Sequence, residues 1–205
     1  MVFAVATAVG NLWIGVGVWR QTKYALRYYD GMRRIRYAVA MSLDGYIAGP
    51  NDEVDWILMD PEIDFFGLFA QFDTFLLGRR TFEALGRMNT GISLTKTYVF
   101  SRTLQQSDHP DVTFVSDEVE ETVAALRAEE SNKDIWVYGG GVLFRSLLDA
   151  GLVDTVEVAV IPVLLGEGKP LLPPPAKQAN LKLTGHKVYK TGIVSLEYSV
   201  MSEAH

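Results

Sequence analysis

Two spacings of apolar residues alternate along the chain from about residue 33 to residue 200. Short runs at 35–41, 74–77, 96–100, 112–115 and 135–138 are apolar nearly throughout, which suits strands covered on both faces of a sheet. Between them apolar residues recur three and four apart, the spacing of a helix with one buried stripe. This predicts a helix over 61–72 with an aromatic face of Phe65, Phe66, Phe69 and Phe72, and a short helical stretch at 82–85. A third helix carries Val119, Val123 and Leu126, with Ser116 as its cap and Asp117 and Glu118 in its first turn. After 135–138 come Gly139, Gly140 and Gly141, then a helix bearing Val142, Leu143, Leu147 and Leu148 and closed by Gly151. The remainder is strand-rich: 155–161, then 181–188 and 193–201, the last two flanking Tyr189-Lys190-Thr191-Gly192 as an antiparallel pair. The order predicts an α/β domain, a mixed sheet with helices on both faces and an antiparallel ending.

The first 31 residues do not fit this pattern. Residues 2–18 are an apolar run broken by Asn11, with Arg20, Lys23 and Arg27 after it. The run lacks a basic segment before it and is shorter than the ~20 residues that span a bilayer. It reads as a weak membrane anchor with its positive flank inside the cell, as an extra docked helix, or as an upstream start preceding Met32. The last is favoured, because a strand begins within three residues of Met32. The expected division is an extension at 1–31 and one domain at 32–205, without stable membrane insertion.

Composition narrows the function. A chain of 205 residues with 48% hydrophobic and 21% charged residues can bury one substantial core. Its formal charge of -6 speaks against a nucleic-acid partner, since phosphate backbones are held by clustered cations. The absence of cysteine excludes disulfides and thiolate metal sites and fits a reducing compartment such as the cytoplasm. His109, His186 and His205 show no ligand spacing, so no metal is expected.

Candidate chemistry gathers at strand ends, where open α/β sheets bind ligands. One strand runs into Gly78-Arg79-Arg80-Thr81, the next into Ser101-Arg102, a third into Gly139-Gly140-Gly141. Glycines, hydroxyls and guanidinium groups at such junctions present donors to an anion. The glycine triplet reads either as a phosphate-binding turn or as a tight chain reversal. It is not the G-x-G-x-x-G fingerprint, because Phe144 stands at the third glycine position. Two early loops bring Asp44, Asp55, Trp56 and Asp60 to one side of the first strand's end; Asp44 is either a catalytic acid or a side chain satisfying its own turn.

The ordered set Ser42-Leu43-Asp44-Gly45-Tyr46-Ile47-Ala48, Gly78-Arg79-Arg80-Thr81, Ser101-Arg102, Gly139-Gly140-Gly141 and Ile161-Pro162 through Gly166 resembles the dihydrofolate reductase superfamily. The resemblance is to the branch holding the reductase domain of the bifunctional riboflavin-biosynthesis deaminase-reductases. It implies a three-layer fold around a mostly parallel sheet of about eight strands, NADPH as cofactor and a homodimer. It also implies hydride transfer to a small heterocyclic or carbonyl substrate, with 5-amino-6-(5-phosphoribosylamino)uracil reduction as the model reaction. By the same resemblance Arg79, Ser101 and Arg102 meet the 2′-phosphate, with Gly78 and Arg80 beside them. Thr81, Gly140, Gly141, Val142 and Leu143 hold the pyrophosphate, Ala40 and Ile47 frame the nicotinamide, and the Gly139–Gly140 peptide is cis. Trp56 falls at the substrate site. Asp60 is the first candidate proton donor and Asp44 the second, burial beside Trp56 being expected to raise the carboxyl pKa. Ala159 replaces the threonine of a folate enzyme, and the pterin-binding acid slips by one residue near Asp60 and Pro61. Both departures favour the riboflavin-type branch over a dihydrofolate or pterin reductase; a nucleotide-binding module without turnover is the other alternative.

Overall fold

Strand β1, Ile35–Ser42, is the axis of the fold. Its residues alternate between two apolar layers, so it must lie mid-sheet with both neighbours parallel. In the computed structural model, which describes residues 32–88, 96–104 and 111–201, it does. The segment 1–31, His109 and His205 lie outside the described residues. The elements after β1 are β2 (Tyr46–Ala48), α1 (Phe65–Phe69), β3 (Phe72–Gly78), α2 (Arg79–Met88), β4 (Lys96–Phe100) and β5 (Thr113–Val115). Then follow α3 (Val119–Ala128), β6 (Asp134–Gly139), α4 (Gly141–Asp149), β7 (Thr155–Ile161), β8 (Lys169–Pro170), β9 (Leu181–Val188) and β10 (Val194–Val200). Eight strands form one sheet in the order β5-β4-β3-β6-β1-β7-β10-β9, and β2 pairs with β8 separately. All neighbours up to β7 are parallel; β10 runs antiparallel to both β7 and β9.

The two faces of β1 face two helix layers. Ile35 and Tyr37 pack with Val123 and Leu126 of α3 and with Leu143, Phe144 and Leu147 of α4. Tyr37 stacks on Phe144 with ring centroids 3.9 Å apart. On the opposite face Ala38 joins Phe72, Phe75, Leu77 and Trp136 under Phe69 of α1 and Phe82 and Leu85 of α2. The buried Trp136 indole keeps its hydrogen bond by donating to the Ala38 carbonyl at 2.9 Å. The cis peptide expected between Gly139 and Gly140 is present.

Three local expectations need correction. The aromatic helix over 61–72 shrinks to Phe65–Phe69: Asp64 caps it by accepting from the Gly67 amide, while Asp60 takes the Glu62 amide and holds the preceding residues in a turn. Phe72 opens β3 and is buried against Trp136, whereas Phe66 stands 92% exposed. Ser116 does not cap α3; its hydroxyl donates to Asp117, and Glu118 occupies the cap position without a side-chain bond. Val142 lies on the exposed side of α4, so the buried stripe there is Leu143, Phe144 and Leu147.

Toward the amino-terminal half of β1 the sheet carries buried charge. Arg33, 3% exposed, pairs with Asp73 and Glu129 and donates to the Thr74 hydroxyl. Arg36 meets Glu157 of β7 through Nε and Nη2, each at 2.7 Å, and reaches Gln71 and Asp134 through Nη1. Its guanidinium lies over the Phe72 ring, 4.6 Å from the centroid. Such a pair adds little over an apolar substitute, but breaking it leaves a charge stranded. We expect Glu157→Ala to cost ~3 kcal/mol in denaturant unfolding, and the double variant Arg36→Met/Glu157→Leu to recover most of that loss.

Candidate functional site

One long open cleft follows the sheet face that carries Ala38 and Ala40. Each of its borders begins as a local turn. At the end of β3, Gly78 lets the chain enter α2 against the neighbouring turn: a Cβ there would already touch the Gly140 amide at 3.6 Å and the Gly139 carbonyl at 3.7 Å. Thr81, one turn into α2, points its hydroxyl at the same place, 3.3 Å from where a Gly140 Cβ would lie. Gly139 has φ +136°, a conformation that favours glycine. Gly141 is the tightest position, since a Cβ would lie 2.8 Å from the Pro170 carbonyl oxygen and 3.0 Å from that of Leu171.

These contacts leave the amino-terminal end of α4 open to the cleft. Gly140 is its N-cap and supplies no side-chain acceptor, and Gly141, Val142 and Leu143 line the cleft. The first amides of a helix lack intrahelical partners and carry the positive end of its dipole. Beside them stand Arg79 and Arg80 at the start of α2 and Arg102 after β4, all exposed and all lining the cleft. Arg79 also donates to Glu83 one turn on, at 2.9 Å. Ser101 accepts from the Thr103 and Leu104 amides at 3.2 and 3.1 Å, so its hydroxyl shapes the turn that presents Arg102. Ala40 and Ile47 border the cleft at the end of β1 and on β2. Every position expected at the cofactor therefore faces one space, although the three strand ends are separated in sequence.

The expected substrate and proton-donor residues are placed differently: Asp44, Trp56 and Asp60 do not line the cleft. Asp44 is a clasp. It accepts from the Ser42 hydroxyl at 2.6 Å and from the Leu165 and Gly166 amides of the β7–β8 loop, at 3.1 and 2.7 Å. The Ser42 bond and those amides hold its carboxyl below the ordinary value. Its partners thus include a distant loop, beyond the own-turn role considered for it. Trp56 donates its indole N–H to the Glu53 carbonyl at 3.1 Å, closing its own loop.

Asp60 is 3% exposed, yet its pKa moves down, opposite to the expected shift. The Thr191 hydroxyl at 2.7 Å and the Glu62 amide at 2.8 Å stabilise the charged form, and shallow burial opposes them too weakly. The acids this segment does turn to the cleft are Glu62 and Asp64. The sequence holds a signal for Asp64, a cap residue three before Gly67, which a helix begun at Pro61 conceals.

Beyond Ala40 and Ile47 the cleft becomes polar. Arg36, Thr155, Glu157 and Ala159 form its floor on β1 and β7, and Ile57, Leu58, Met59 and Ile63 form a wall ahead of α1. Arg36 and Glu157 were missed as cleft residues; the clue is a charge at an alternating position within an otherwise apolar strand. Among the described residues no helix is long and apolar enough to cross a membrane.

Residues 33–195 match the family model described as the RibD C-terminal domain. The chain is 38% identical over 179 residues to the uncharacterized protein YyaP of Bacillus subtilis (strain 168), covering 81% of this chain and 94% of that protein. Among solved structures it superposes on a Shewanella sp. PV-4 protein assigned to riboflavin biosynthesis with a TM-score of 0.72 at 24% identity, covering 83% of this chain and 100% of the other. It also superposes on the dihydrofolate reductase of Enterococcus faecalis, solved with NADP(H), with a TM-score of 0.60 at 21% identity, covering 82% and 97% of the two chains. The fold is that of dihydrofolate reductase, and by the match across 33–195 the chain belongs to the RibD C-terminal domain family.

Proposed function

We propose that the protein is an NADPH-dependent reductase of the riboflavin-biosynthesis type. Membership of the RibD C-terminal domain family makes it a reductase-family domain; the cofactor and the substrate are the further step. The observation that carries the step is the convergence at one end of the cleft of an uncapped helix amino terminus, the Thr81 hydroxyl and the guanidinium groups of Arg79, Arg80 and Arg102. A pyrophosphate fits the first two, because it needs close backbone approach and donors that do not move. A separate phosphate monoester fits the arginines, which distinguishes a 2′-phosphorylated dinucleotide from its unphosphorylated relative.

NADPH, when bound, supplies the hydride. The chain supplies position: Ala40 and Ile47 form an apolar border for the nicotinamide, and the floor of Glu157 and Ala159 with the 57–63 wall holds the acceptor against it. Asp60 and Asp44 serve as structural carboxylates here, and the open cleft lets water deliver the proton. A reducing cytoplasm, in keeping with a chain free of cysteine, is the compartment this chemistry fits.

Calorimetric titration is expected to show saturable NADPH binding, tighter than NADH. Arg79→Ala and Arg102→Ala should each weaken NADPH by about ten- to hundredfold, the loss of one charge-assisted bond, with NADH changed by less than about threefold. Equal losses for the two dinucleotides would remove the 2′-phosphate assignment, and absent NADPH binding would remove the cofactor. Gly141→Ala should overpack the Pro170–Leu171 contact, lowering unfolding free energy by ~1–3 kcal/mol and weakening NADPH. Oxidation of NADPH by 5-amino-6-(5-phosphoribosylamino)uracil and not by dihydrofolate is the outcome that fixes the substrate branch.

A further inference from the structure

Between Gly49 and Phe72 the chain has one buried residue, and it is a carboxylate, Asp60. Its neighbours on both sides face the cleft: Leu58 and Met59 before it, Glu62 and Ile63 after it, with Leu58 and Met59 largely exposed. A wall of exposed apolar side chains has no packing of its own to fix where it stands, so a polar anchor must do so. That anchor reaches across the fold. Asp60 Oδ2 accepts from the Thr191 hydroxyl at 2.7 Å and from the Thr191 amide at 3.4 Å, in the turn between β9 and β10. Its other oxygen, Oδ1, accepts from the Glu62 amide at 2.8 Å. Beside it Lys190 meets Glu62 at 3.1 Å, an exposed pair that adds little. The turn itself is held by the Tyr189 and Ile193 backbone bond at 2.9 Å, and Ile193 is fully buried in the sheet.

We propose that Asp60 is a positioning residue, a latch that fixes the substrate-side wall of the cleft, residues 57–63, to the β9–β10 turn through Thr191. This rests on the reductase reading for what the wall contacts, although the latch itself stands on the geometry above. Its carboxylate touches neither cofactor nor substrate. It acts by limiting how far the wall swings, which sets the affinity for the hydride acceptor and leaves the nucleotide end, across the cleft on β3, β4 and β6, alone.

Thr191→Val removes the hydroxyl at nearly constant shape, Thr191→Ser keeps it, and Asp60→Asn weakens the acceptor; all three are made in the full chain. Hydrogen exchange by mass spectrometry should show amides 57–63 exchanging about tenfold faster in Thr191→Val, the equivalent of one hydrogen bond, with the NADPH affinity unchanged. With 5-amino-6-(5-phosphoribosylamino)uracil as probe, KM should rise about fivefold or more at constant kcat, and Thr191→Ser should restore both exchange and KM. Unaltered exchange in Thr191→Val overturns the latch. So does an Asp60→Asn variant that loses turnover together with the alkaline limb of the pH–rate profile, the limb on which a donor carboxyl gives up its proton, because Asp60 would then be the proton donor. A wild-type chain that neither binds NADPH nor reduces the probe defeats the reductase reading, and the exchange result still decides the latch.

Discussion

One end of the cleft depends on one steric fact, that a side chain at Gly141 would run into backbone carbonyls where β6 turns into α4. The Pro170 and Leu171 carbonyls lie within 2.8 and 3.0 Å of the Cβ position at Gly141, and Thr81 lies within 3.3 Å of that at Gly140. Because backbone meets backbone there, the β6–α4 turn, the start of α2 and the β8 loop share one small volume. The amides of α4 are thereby aimed at the cleft without a capping side chain to consume them. These turns are parts of a single packed junction, and Asp44 extends it by clasping the β7–β8 loop.

The opposite end obeys a different constraint. Arg36 and Glu157 are diagonal neighbours on adjacent central strands, Arg36 standing opposite Thr155 and Glu157 opposite Ala38, where a sheet covered on both faces would hold apolar residues. They are tolerated because each satisfies the other and because Asp134, Gln71 and Thr155 take up further bonds. No helix need cover this stretch, and a polar floor beneath an open groove is the result. The cleft is thus divided between a backbone-built end at the β6–α4 turn and a side-chain-built floor.

Much of this could be followed in the sequence. The apolar runs located the strands of the main sheet, and glycine and arginine at their ends located residues that border the cleft. The helix expected over 61–72 failed for a local reason. The 61–72 stretch has helical spacing, but Asp60 and Asp64 each capture a backbone amide and break the helix before it starts, and Phe72 gains more by packing on Trp136 in β3. Periodicity reports which residues seek burial; it does not report which partner they find.

The sequence by itself determined the fold class, the order of elements and the donor-bearing strand ends, because turn chemistry and apolar spacing are settled within a few neighbouring residues. Only the tertiary structure decided what each carboxylate does. Asp44 meets Gly166 across 122 positions and Asp60 meets Thr191 across 131, and those contacts join the nearby Ser42 hydroxyl and Glu62 amide in lowering both pKa values. A charge takes its role from the donors around it, and in this fold some of those donors lie far along the chain.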